Sequence, residues 1–331
     1  LQGFEVFSMP MDISNSISQS PSAIFMPNWI GDLILGISVA IRKKRTEESD
    51  LSLIVPEQLC GLTALLCDLP IISYRRKNIA EFFSTIQLVR EQSYSKLYIL
   101  PHSFSSALFG FFTRIPSRRG ISAELRGWML TEWLPAAFAS RIRHLTYEYS
   151  EVVETPYRDP EEWESVALDK TAEYNGVVVF CPGAAYGPAK RWPYFARLAH
   201  LLDNKRVVIV GDDRDRSIGE RIAAAVPGRV INRAGDTTLE QVAAILAAAA
   251  VVISNDSGLL HLAGFLGTPC VGIYGSTSSA WTRPLGRAVR IATGKCRHAP
   301  CYERTCPEKN YNCLSGITAE KVAALMDDLL E

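Results

Sequence analysis

The sequence predicts an α/β protein built from two Rossmann-like domains in series. The chain has 331 residues, about two domains' worth at roughly 150 residues each. Short apolar, β-rich runs alternate with helical stretches, which is the pattern of parallel βαβ units covered on both faces. The scheme runs through twice, and an acidic, proline-interrupted stretch separates the two passes.

In the first pass AIFMP (23–27) precedes a helix at 33–44, LSLIVP (51–56) precedes 57–67, PIISY (70–74) precedes 78–91, and KLYILP (96–101) precedes 103–112. The pattern is then irregular to about 147. In the second pass VVVFCP (177–182) leads to a helix from Pro193, RVVIVG (206–211) to 216–226, and a strand at 229–232 to 238–248. AVVISN (250–255) leads to 257–266, and PCVGIYG (269–275) to an irregular loop. A last helix spans 318–330, with Thr318 as its N-cap and Ile317, Val322, Leu325 and Leu329 as its apolar stripe. From Tyr147 to Glu173 nine acids face only Arg158 and Lys170, and Pro156 and Pro160 interrupt the run, so the hinge is expected there. The domains expected are 1–22 as a flexible tail, 23–160 and 161–331.

An apolar fraction of 47% and a charged fraction of 21% let each half bury its own core. Lys+Arg and Asp+Glu are both 35, which disfavours a protein held to nucleic acid by phosphate neutralisation. Locally, Ile72–Thr146 carries eleven bases and four acids. This bias reads either as solvated helix faces or as a field for an anionic substrate or membrane surface. The wholly apolar run Val242–Ile253 is twelve residues, too short to span a bilayer. Residues 1–22 lack the basic start and apolar centre of a signal peptide. A cytoplasmic protein is expected. Eight cysteines, four of them between 296 and 313, fit a reducing compartment with one local cysteine feature.

Five motifs carry candidate chemistry. In PNWIGDLIL (27–35) Trp29, Gly31 and Asp32 come after a strand, where ligands of parallel sheets bind; Asp32 as a simple helix cap is the plainer alternative. No G-x-G-x-x-G succeeds any strand, which removes the main support for a dinucleotide-dependent dehydrogenase. CPGAAYGPAKRWP (181–193) joins Gly183 and Gly187 to Lys190, Arg191 and a helix start, a combination that favours phosphate. SNDSGLLHLAG (254–264) sets Asn255, Asp256 and Ser257 at another helix start, with His261 four residues beyond Ser257. A phosphate-holding helix start is favoured over a Ser–His nucleophile, which lacks its elbow. GDDRD (211–215) imitates a metal motif with Asp213 and Asp215, but acids at strand ends are commoner than metal sites. Cys296, Cys301, Cys306 and Cys313 lack the C-x2-C knuckle of a zinc site; zinc, local disulfides and structural thiols all stay open.

PNWIGD, PGAAYGPAKRWP, SNDSGLLHLAG and YGSTSSAWTRPLG (274–286), in this order, resemble the ADP-heptose:lipopolysaccharide heptosyltransferases of glycosyltransferase family nine. The PGAAYGPAKRWP form and the cysteines around CYERTC and CLSGI are most similar to the heptosyltransferase II branch. The resemblance covers about 23–331 and implies a GT-B fold with its active site in the cleft between the domains. The N-terminal domain would take an anionic lipid-linked lipopolysaccharide core acceptor, and the C-terminal domain the ADP-heptose donor. Transfer would be inverting, with no cofactor or metal, by a cytoplasmic protein in peripheral contact with the inner membrane. The family's base falls on Asp32 and its nucleotide-binding lysine on Lys190. The diphosphate-binding helix start falls on Asp256, Ser257, Gly258 and Leu259, with His261 beyond. Nucleoside-contacting positions fall on Ala185, Tyr186, Asp213 and Thr237. The chain departs at Ser278–Ser279, where this group more often has an acid and a proline.

Inverting transfer needs a carboxylate for the acceptor's proton and cations for the departing ADP. A helix N-terminus is expected to lower the pKa of Asp32, weakening it as a base. Alternatives are a transferase of another sugar to a surface glycan, a nucleotide-sugar epimerase of the same architecture, and a non-enzymatic nucleotide-binding protein.

Overall fold

The computed structural model describes residues 21–47, 50–75, 78–203 and 205–331. The tail expected over 1–22 lies outside the described residues except for Pro21 and Ser22, and Ser22 already belongs to the first strand.

The N-terminal half comprises β1 (Ser22–Phe25), α1 (Ile30–Glu47), β2 (Leu51–Pro56), α2 (Cys60–Leu66), β3 (Ile71–Tyr74), α3 (Ile79–Glu91), β4 (Lys96–Ile99), α4 (Phe104–Thr113), β5 (Ser117–Ile121), β6 (Glu132–Leu134) and α5 (Leu145–Val153). The C-terminal half comprises β7 (Val178–Cys181), α6 (Phe195–Leu201), β8 (Val207–Ile209), α7 (Arg216–Ala225), β9 (Val230–Asn232), α8 (Leu239–Ala248), β10 (Val251–Asn255), α9 (Gly258–Phe265), β11 (Cys270–Tyr274), α10 (Ser279–Thr282), β12 (Val289–Thr293), α11 (Asn312–Ser315) and α12 (Ala319–Leu330). The two six-stranded sheets run β3-β2-β1-β4-β5-β6 and β12-β11-β10-β7-β8-β9, and all pairings between neighbouring strands are parallel. Both have the doubly wound order 3-2-1-4-5-6, so each half has its own switch point for a ligand.

The expected alternation holds, with three corrections. The irregular stretch before 147 contains β5 and β6. SRRGI and EWL lack an apolar signature because their polar groups are satisfied inside the fold. Arg118 donates to the carbonyls of Ile115 and Met129, and Arg119 to those of Glu151 and Val152. The expected hinge does not begin at Tyr147, because α5 continues to Val153 and packs on α1. The loop after Gly275 holds α10 and then β12. The last helix does have Thr318 as its N-cap, accepting from the amide of Lys321. Its most buried side chains are Val322 and Met326, while Leu325 and Leu329 are only partly covered.

Three apolar clusters form the core. One covers the outer face of the first sheet, where Phe25, Tyr74 and Phe109 pack ring on ring beneath α3 and α4. A second covers the outer face of the second sheet, where Phe180, Trp192 and Phe195 pack with Val322 of α12. The third runs through the inner faces of both sheets, from Leu33 and Leu35 to Leu246 and Leu260. Here α1 lies against α9 and α2 against α8, so the seam between the halves is itself core. Among the described residues no helix is long and apolar enough to cross a membrane.

Candidate active site at the seam between the two domains

The seam is tight where α1 begins. A Cβ on Gly31 would stand 2.7 Å from Cδ2 of His261, and one on Gly258 would stand 2.6 Å from Cβ of Ile30. Glycine at both positions lets the N-termini of α1 and α9 come together. Asp32 is the third residue of α1 and sits in its first turn, not at the cap. It keeps a partial opening to the cleft. The protein packed around it nonetheless raises its pKa to about 6, with Lys190 pulling down and Asp256 pushing up. The lowering expected from the helix N-terminus is therefore overturned, because the cost of burying the charge exceeds the helix-end contribution.

Across the seam, Lys190 donates to Oδ2 of Asp256 at 2.5 Å, and Thr277 donates to the same oxygen at 2.5 Å. Nε2 of His261 lies 4.0 Å from Oδ1 of Asp256. Burial lowers the His261 pKa to about 4, so the imidazole is neutral at pH 7, and among the described residues its Nδ1 has no hydrogen-bond partner. Asp256 and His261 are buried, and the Lys190 side chain is 14% exposed. Ser257 is the N-cap residue of α9 but makes no side-chain cap bond. Its hydroxyl pairs with Ser254 at 3.1 Å, which gives no support to a Ser–His nucleophile. The amides of Leu260 and His261 donate to the carbonyl of Ser257, which leaves those of Gly258 and Leu259 to face an anion.

The loop from 182 to 194 arches over this cluster. Gly187 has a φ of +147° and passes so close to the Arg304 carbonyl that a Cβ would stand 2.5 Å from its oxygen. The Tyr186 hydroxyl bonds the Tyr302 carbonyl, and the Lys190 ammonium lies 4.9 Å from the Tyr186 ring centre. Ala185 is exposed on the same loop and Trp29 is 54% exposed at the end of β1. Asp213 pairs with Arg216 at 3.2 Å and lies against Gly235, two residues from Thr237, whose buried hydroxyl has no partner among the described residues. Arg191 is the exception among the expected residues. It turns away from Lys190 towards Asp215, 3.9 Å distant.

The structure also brings in residues that sequence motifs did not single out. Thr277 and Trp281 lie in the YGSTSSAWTRPLG segment and Tyr302 in CYERTC without a role read from either, whereas His102, Arg141 and Glu148 belong to no motif and meet only in three dimensions. The clustered cysteines are all free thiols. Burial, reinforced by Cys296, Cys301 and Cys306, raises the Cys313 pKa. Among the described residues no three His, Cys, Asp or Glu side chains are arranged to hold a metal ion.

Two Rossmann-like domains meeting over a carboxylate from one side and a lysine with an open helix start from the other are the frame of a GT-B glycosyltransferase. The sequence matches Glycosyltransferase family 9 (heptosyltransferase) over residues 82–312, and the chain belongs to that family. It is 30% identical to lipopolysaccharide heptosyltransferase 2 of Salmonella typhimurium, over 81% of this chain and 87% of the relative. It is also 30% identical to lipooligosaccharide heptosyltransferase 2 of Haemophilus ducreyi, over 93% and 98%. Among solved structures it superposes on E. coli ADP-heptose lps heptosyltransferase II with a TM-score of 0.79 and 26% identity, covering 94% of this chain and 98% of that one. The protein is a glycosyltransferase.

Proposed function

We propose that the protein transfers heptose, with inversion, from ADP-heptose to the inner core of lipopolysaccharide. The observation that carries this reading is the placement of Asp32, from the N-terminal half, opposite Lys190 and the start of α9, from the C-terminal half. The relatives named above supply the donor and the acceptor class.

In this reading the acceptor hydroxyl gives its proton to Asp32 as its oxygen attacks the anomeric carbon. The carbon–oxygen bond to the diphosphate breaks on the opposite face, and ADP leaves with the electron pair. Lys190 and the amides of Ser257, Gly258 and Leu259 hold the diphosphate and steady its growing charge, the Asp256 amide being taken by the carbonyl of Ile273. They supply the positive charge that a divalent ion provides elsewhere, so the reaction is proposed to need no metal or cofactor. A carboxylate with a pKa near 6 is ionised at neutral pH and is a better proton acceptor than an ordinary aspartate. Ala185, Tyr186, Asp213 and Thr237 are proposed to contact the nucleoside. The lipid-linked acceptor would be met at the cytoplasmic face of the inner membrane.

Incubation with ADP-heptose, with and without core acceptor, tests the reading. ADP release that requires acceptor supports transfer, whereas donor turnover without acceptor points to an epimerase. Titration calorimetry with ADP, UDP and GDP tests the donor: preference for UDP would sink the heptose assignment.

A further inference from the structure

A second carboxylate lies beside the proposed base and has no structural employment. Glu148 projects from α5 and is 1% exposed, yet among the described residues its Oε2 has no hydrogen-bond partner. Nε2 of His102, in the turn after β4, is 3.6 Å away, too long for a bond, and is likewise buried and unpartnered. From the other domain, the Trp281 indole N–H faces the same carboxyl outside good hydrogen-bond geometry. Among the described residues Glu148 forms no ion pair with a lysine or arginine. Burial raises its pKa to about 7, partly offset by Trp281 and Arg141, and Asp32 adds to the rise.

Leaving a buried carboxyl oxygen unpaired is costly, and more so with a buried imidazole nitrogen and a buried indole N–H beside it. Groups of this kind are normally paired in the folded chain. Here they come from three elements and both domains, and they converge next to Asp32 in the seam. The Arg141 guanidinium lies 5.0 Å from the Trp281 ring and 4.4 Å from the Tyr302 ring, and those two rings meet edge to face at 5.9 Å. His144, the N-cap of α5, reaches the carbonyl of Arg283 at 2.9 Å, tying α5 to the segment that carries Trp281. A carboxylate, an imidazole and an indole N–H against an aromatic wall match a polyhydroxylated sugar, whose hydroxyls donate and accept while its C–H face packs on the rings.

We propose that Glu148, His102 and Trp281 form a saccharide subsite on the acceptor side of Asp32, which takes a hydroxyl neighbouring the one that reacts. The inference rests on the proposed transfer to a core sugar and adds residues that hold the acceptor. Glu148 accepts from the neighbouring hydroxyl, and the ring N–H groups of Trp281 and His102 donate to sugar oxygens. The sugar is thereby turned so that the reacting hydroxyl points at Asp32.

The test uses the full chain and a water-soluble, deacylated core oligosaccharide. Glu148→Gln keeps the size of the side chain. It should raise the acceptor KM about tenfold or more, the loss expected of a hydrogen bond to a charged group. The donor KM and ADP affinity should stay within about twofold and the melting temperature should not fall. Trp281→Phe, which keeps the wall and removes the N–H, should give a smaller rise in acceptor KM. An unchanged acceptor KM in folded Glu148→Gln overturns the proposal. So does a joint loss of donor affinity, acceptor affinity and thermal stability, which marks a purely structural role.

Ligand-observed NMR with the same oligosaccharide reads the subsite without turnover. Binding to the parent and its loss in Glu148→Gln supports the subsite, even if no ADP is released and the transfer reading fails. Equal binding, or none to the parent, overturns the subsite while transfer by the parent leaves the function standing.

Discussion

β1 and β7 hold the same place in their sheets, yet the connections that leave them differ. Four residues join β1 to α1, and thirteen join β7 to α6. The short connection brings a helix start and Asp32 to the strand end on a stiff mount. The long one arches through Gly183 and Gly187, with Lys190 on its descending limb. In the proposed reading, one topology thus yields a fixed reacting group in one half and a cradle in the other, and loop length decides which. The proposed division of labour can be broken from either side.

The largest effect is expected on the short side. Asp32→Asn keeps the size of the side chain but cannot take the proton, so turnover should fall at least ~100-fold, with ADP affinity by calorimetry unchanged. Turnover within a few-fold of the parent would place the base elsewhere. On the long side, Lys190→Ala should weaken ADP binding by about 1.5–3 kcal/mol, roughly ten- to a hundredfold. It also leaves the buried Asp256 without its partner, which is destabilising. The double variant Lys190→Ala/Asp256→Asn should therefore regain melting temperature without regaining ADP affinity.

The pH dependence sharpens the contrast. With the Asp32 pKa raised to about 6, kcat/KM for the acceptor should fall about tenfold per pH unit below that value, while ADP affinity should not track the same curve. Stability runs the other way. The folded chain keeps the Asp32 proton up to about 6, whereas the unfolded chain loses it near 3.8, so stability from this group falls as pH rises between those values. Asp32→Asn should then melt a few degrees above the parent at pH 7.5 in thermal scans. The smallest effect is expected for Arg191→Ala: its side chain turns to Asp215, so ADP affinity should change by less than about twofold.

The doubly wound halves are legible because their central strands are buried on both faces and read as mainly apolar runs, LSLIVP and AVVISN among them. β5 and β6 are not, since Arg118 and Arg119 satisfy nearby carbonyls and Glu132 pairs with Arg119, none of them facing a core. Such pairing also thins the basic surplus of 72–146. Arg126 is wholly buried and holds the carbonyls of Pro101, Ser103 and Ile121, and Lys96 pairs with Glu132 and Glu154. Within the site, Asp32, Lys190, Asp256 and His261 stand in local strand–turn–helix patterns and meet as those patterns imply. The direction of the Asp32 shift is invisible in the sequence, because it arises from burial in a fold where α1 packs on α9, far away along the chain. Glu148 reads as one more acid of a linker, since nothing in its neighbours reveals that α5 turns it inward.

The glycine pair at the seam has a consequence for accuracy. Side chains that interlock across a domain boundary can change rotamer and accept several closing distances. Backbone resting on backbone cannot. At Gly258 an added Cβ would stand 2.6 Å from Cβ of Ile30 and 3.3 Å from the amide nitrogen of Gly31, positions fixed by the backbone, so the two halves have a hard stop there. In the proposed transfer, the gap between an attacking oxygen held by one half and a leaving group held by the other would inherit that stop. A single methyl at Gly258 should then act as a shim that holds the reacting atoms apart.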